Sequence, residues 1–172
     1  MATTSSPTLS SLPAGFVPPF KRIEMQERID DALACIAILT HNNLGTINAA
    51  AVKAGHPPHG PAWVTYPLIA KLLSQMNSQI TSFDYKEITS VAALPDIAIL
   101  LVNYDPDTEI GRHVVWHHVR ATDKTPSFHY VIDPAPWLEA KHHVTTDMRH
   151  LRLVGGYYIE VKLPTYASVK GR

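Results

Sequence analysis

Three side chains far apart in this sequence have the types and settings that a nucleophilic hydrolase would use. Asp31 opens the apolar run "DDALACIAILTHNN", His113 begins "HVVWHHV", and Asp133 closes "SFHYVIDP". Thiol-based amide hydrolysis needs a cysteine at a helix N-terminus, where the dipole lowers its pKa. It also needs a histidine on a neighbouring strand as base and a third group to orient that imidazole. Two adjacent antiparallel strands could set His113 beside Asp133. The thiol is the missing part, because the single cysteine, Cys35, lies inside the helix-forming run. It would sit about 6 Å beyond Asp31 along a helix, past the free N–H groups that could stabilise an oxyanion. Between Ala34 and Ile36 it reads as a core residue.

The other candidate chemistries fail on spacing. In a strand, His113 and His117 share a face but stand about 13 Å apart, and His118 points the other way, so the three cannot chelate one ion. His142 and His143 diverge as neighbours, and His56 and His59 flank two prolines in a loop. No metal and no cofactor is expected. The run "DPDTEIG" carries Ile110 and Trp116 where a calcium loop needs glycine and glutamate, and it reads as a hairpin turn. "VGGYY" lies in a strand pattern and reads as a bulge. Trp116 and Trp137 have no basic patch beside them and are expected in the core or in a groove wall.

These residues need a frame. From Glu27 to His41 the apolar positions follow a helical period, with Asp30 or Asp31 as N-cap. "TINAAAVKAG" predicts a second helix capped by Thr46 and stopped by Gly55. "TYPLIAKLLSQMN" predicts a third, capped by Thr65 with Pro67 in its first turn. Beyond residue 78 the pattern changes to strands: "QITSFDY", "DIAILLVNY", "HVVWHHV", "SFHYVIDP" and "LVGGYYIEVKLP". Helices followed by a mostly antiparallel sheet predict an α+β domain.

The chain of 172 residues is long enough for one domain with its own core. Lys+Arg and Asp+Glu balance at 15 each, which argues against a nucleic-acid partner, and ten histidines would add positive charge near pH 6. One cysteine excludes a disulfide framework. No signal peptide or membrane span is legible, so a cytoplasmic location or a place in a macromolecular assembly is expected, without membrane association. Residues 1–22 are expected to form a flexible or partner-docked arm, rich in Ser, Thr and Pro over the first twenty, and residues 23–172 a single domain.

In order along the chain, these motifs resemble the papain-like cysteine peptidases of bacteria, and among them the peptidase domains that process bacteriocin leaders. "DDALACIAILTHNN" is similar to the nucleophile helix of that family, "GRHVVWHHV" to its Gly-His-aliphatic strand, and "YVIDPAPWL" to its Asp-Pro strand end. The resemblance covers roughly residues 24–140. It implies a papain-like fold with N-terminal helices packed on an antiparallel sheet. It further implies that Asp30 matches the family's aspartate, that Asp31 stands where the cysteine would react, that His113 is the base and that Asp133 orients it. Gln26 is the candidate for the oxyanion-hole glutamine.

A carboxylate is a poor nucleophile toward an amide, and pairing with the histidine would remove the general base. The expectation is a catalytically impaired domain that binds a peptide or protein partner, through its cleft or residues 1–20. Such a domain could be a structural component of a larger homo- or hetero-oligomeric assembly, including a virion or secretion complex. The alternatives are an active cysteine peptidase or amidase with His113 as base, and an unrelated α+β scaffold.

Overall fold

The computed structural model describes residues 12–59, 62–76, 79–80 and 84–163. Helix α1 (Asp31–Thr40) is buried at every position from Asp31 to Leu39, which is why its sequence is apolar on all sides and carries no polar stripe. Helix α2 (Leu44–Lys53) begins two residues before the expected cap. Asn43, in extended backbone, accepts a hydrogen bond from the Thr46 N–H at 2.8 Å, so Thr46 is the capped residue and Asn43 the cap. Helix α3 (Tyr66–Gln75) follows Thr65 and carries Pro67 in its first turn, as the sequence predicts.

Among the described residues seven strands follow: β1 (Gln79–Ile80), β2 (Lys86–Glu87), β3 (Ile97–Asp105), β4 (Ile110–Val119), β5 (Phe128–Ile132), β6 (Val144–Thr145) and β7 (Tyr157–Lys162). They form an antiparallel sheet in the order β1-β7-β3-β4-β5-β6, with β2 also pairing β7. The α+β class is therefore as expected. Of the expected strand 79–85, Gln79 and Ile80 pair with β7 as β1, residues 81–83 lie outside the described residues, and pairing with β7 is seen again at Lys86–Glu87. The two-residue β6 has no counterpart among the predicted strands, being too short for a period to show.

Both faces of the central strands are covered. Ile99, Val115, Ile132 and Ile159 pack under the helices, while Ala98, Leu100, Val114, Trp116 and Val131 form a second core with Ile88, Leu151 and Leu153. Double coverage explains the unbroken apolar run "IAILLV" of β3, where a half-buried strand would alternate.

The glycine pair before β7 corrects a second expectation. Gly155 (φ 85°) and Gly156 make a turn ahead of the strand and not a bulge within it. Gly156 is forced by proximity, because a Cβ there would run into the Leu101 carbonyl oxygen. Backbone cannot give way as a side-chain tip can. Gly156→Ala is expected to cost about 2–4 kcal/mol, read as a lowered urea midpoint; an unchanged midpoint would show that β3 and the turn can separate freely.

Residues 12–22, assigned to the arm, pack on their own domain. Phe16 meets Phe128 edge-on with ring centroids 4.9 Å apart, and Phe20 is buried between His41 and His117. Arg22 donates from Nε to the Asp133 carbonyl at 2.6 Å and from Nη2 to the Ala135 carbonyl at 2.8 Å. Residues 1–11 lie outside the described residues.

Candidate active-site cleft

Two adjacent aspartates open α1 and do different work. Asp30, the N-cap residue, makes no cap bond to the helix; its carboxylate turns back to accept the Gln26 and Glu27 N–H groups at 3.2 and 3.1 Å. Burial raises its pKa, and those two N–H donors oppose the rise. Asp31, the first helical residue, points toward β4. Its Oδ2 accepts from both the backbone N–H and the ring Nδ1 of His113, the latter at 3.1 Å. Burial works against ionisation of Asp31, yet the charge of His113 and these hydrogen bonds outweigh it and hold the carboxyl below its ordinary value.

His113 is engaged at both ring nitrogens. Nδ1 faces the Asp31 carboxylate and therefore donates; in the neutral ring Nε2 then accepts from the Tyr85 hydroxyl at 2.7 Å. Burial, then the charge of Asp31, pushes the Tyr85 phenol well above its ordinary pKa, so it stays a neutral hydroxyl. Tyr85 had no signal in the sequence. It stands next to β2, and its hydroxyl reaches the His113 ring across a separation of 28 residues.

The two remaining predicted residues do not join the pair. Asp133 is fully buried, but its Oδ2 bonds the Arg112 guanidinium and its Oδ1 accepts the Ala135 N–H at 3.0 Å, with no bond to His113. Strand alternation supplies the reason. His113 shares parity with Val115, on the helix side, and Arg112 shares parity with Val114 and Trp116, on the far side. The far-side residue is the one that meets Asp133. Gln26 is exposed and lines a separate depression with Lys21, Ile23 and His41, away from Asp31.

Cys35 has no exposed surface, and burial, followed by the charge of Asp31, pushes its thiol well above the ordinary value. It lies where the sequence puts it, in the core.

A cleft of about 900 Å³ opens between the N-terminus of α1 and the β4–β5 end of the sheet. Asp31, His113, Arg112 and Asp133 line it, together with the loop around His56–His59 and the segment Pro134–Trp137. Trp137 belongs to its wall, as one of the two expected settings for that residue, and Trp116 is core, its indole N–H donating to the Pro95 carbonyl at 2.8 Å. Trp63 is a second exposed tryptophan on the cleft that spacing arguments passed over. Among the described residues no group of three or more His, Cys, Asp or Glu is placed to hold a metal ion.

Among the described residues, no helix is long and apolar enough to cross a membrane. No family model, curated protein or solved structure matches this chain. The chemistry must come from the cleft itself. A carboxylate stands at a helix N-terminus against a histidine whose second nitrogen is held by a neutral phenol, and no ionisable thiol is within reach. Both ring nitrogens of His113 are engaged, one by a carboxylate and one by a phenol.

Proposed function

We propose that this chain is a papain-like domain in which Asp31 occupies the place of the reactive cysteine, kept as a peptide- or protein-binding component of a larger assembly such as a virion or secretion complex. The observation that carries the reading is the meeting of the first residue of α1 with His113 of β4, 82 positions apart. A nucleophile and its base would occupy those two places. A carboxylate there pairs with the imidazole and leaves binding as the role of the cleft. The runner-up, an active peptidase or amidase using Cys35, is disfavoured by a thiol that has no exposed surface and whose ionisation burial opposes.

Restoring the thiol tests this directly. In Asp31→Cys the new side chain sits at a helix N-terminus beside an imidazole, so iodoacetamide at pH 6 should alkylate it at least about tenfold faster than it alkylates glutathione. The excess should vanish in Asp31→Cys/His113→Ala. In the parent protein Cys35 should label only after unfolding in urea. Reactivity at position 31 no greater than that of glutathione would overturn the proposal. Native labelling of Cys35 that disappears in His113→Ala would favour the active hydrolase instead.

A further inference from the structure

The cleft has a rim and a floor of opposite character. Trp63 and Trp137, 61% and 62% exposed, stand on it with Val52 and Ile110, 41% and 48% exposed. Seven large hydrophobics are exposed among the described residues, and these four gather at one opening. Such clustering marks a binding surface, whereas singly scattered apolar residues do not. The lining carries charge: the buried carboxylates of Asp30, Asp31 and Asp133 and the exposed one of Glu27, against the guanidinium groups of the half-buried Arg112 and the exposed Arg28. Arg112 and Asp133 neutralise each other. Three carboxylates then face one cation, with His56, His59 and His113 also on the walls.

From this, and resting on the peptide-binding reading above, we infer that the cleft takes the cationic side chain, lysine or arginine, of an extended peptide. The ammonium or guanidinium group meets the electron-rich faces of the rim tryptophans and the Asp31 carboxylate on the floor. Both bonds from His113 end on Asp31 Oδ2, and the Ala32 N–H also supports the carboxylate; with two lone pairs on each oxygen, it keeps capacity for a further donor. An acidic side chain would enter an excess of like charge, and an aliphatic one would bury the carboxylates without pairing them. A sugar ring could also stack on tryptophan, but nothing in stacking alone uses the negative floor.

The protein has three tryptophans, and their indole N–H signals separate the outcomes. Trp116 is buried and bonded to Pro95, which makes it an internal reference. We would titrate the full chain at pH 8, where histidine side chains are in general uncharged, with blocked alanine-based peptides bearing a central lysine, arginine or norleucine, and in parallel with cellohexaose. Assignment would come from Trp63→Phe and Trp137→Phe. Shifts of the Trp63 and Trp137 signals, a still Trp116 signal, and binding of the lysine and arginine peptides about tenfold tighter than norleucine are expected. Asp31→Asn, which keeps an acceptor for His113, should bring that preference toward unity while norleucine binding persists. Equal binding of lysine and norleucine peptides would overturn the cation inference and leave peptide binding standing. Shifts with cellohexaose alone, or with no probe, would overturn both.

Discussion

Arg112→Ala is expected to lower stability by about 3–5 kcal/mol. Asp133 has 0% relative exposure, and among the described residues the Arg112 guanidinium is the one cation bonded to its carboxylate. Removing that partner leaves a buried charge with one backbone N–H for support. Deleting both groups removes the penalty along with the pair, so Arg112→Ala/Asp133→Ala should be more stable than the sum of the two single variants. Arg112 is one-fifth exposed, which lets some water reach the gap and places the expectation toward the lower end of the range. Urea unfolding of the four proteins measures the cycle. Strict additivity would mean that the pair carries no coupling, and the account of Asp133 as an anchored buried charge would be wrong.

Asp31→Ala should cost about 3 kcal/mol, because it strips one acceptor from two donors of His113, its backbone N–H and its ring Nδ1, in a largely buried setting. Asp31→Asn should cost less, since the amide oxygen can still accept. The charge part has a definite pH dependence. The folded carboxyl of Asp31 lies below the ordinary 3.8, so its ionisation adds stability that is complete above 3.8 and is lost as pH falls through the folded value. The urea midpoints of the parent and of Asp31→Asn should therefore converge on acidification below about pH 4 and stay apart at neutral pH. A gap that widened as the pH dropped would contradict the direction assigned to Asp31.

Local signals found the elements and went wrong where two rules competed. Thr46 and Asn43 are both good caps, and the extended backbone at Asn43 decided between them. The glycine pair at 155–156 fits a bulge or a turn equally well by composition; the left-handed backbone at Gly155 and the start of β7 at Tyr157 show a turn. In the site, Asp31 and His113 were legible because each sits at a marked place, a helix start and a strand run. Asp133 was legible as a buried strand-end carboxylate, but its partner was assigned to the wrong neighbour. Counting alternation from Val114 and Val115 would have pointed to Arg112. Trp63 lies in a loop without a period and Tyr85 at the end of an expected strand, and no count along either segment could have brought them to the site.

The sequence alone determined that α1 would be a core helix, since a run that is apolar on nearly all sides has no stable place but the interior, and that helices would be followed by an antiparallel sheet. It also determined that no reactive thiol would stand at the helix start. Only the tertiary structure decided which groups meet: Asp31 with His113, His113 with Tyr85, Arg112 with Asp133, and two tryptophans with one cleft. Such meetings depend on how a helix settles on a sheet over separations of 21 to 82 residues. Local propensity reaches along one element, and contacts between elements are chosen by packing.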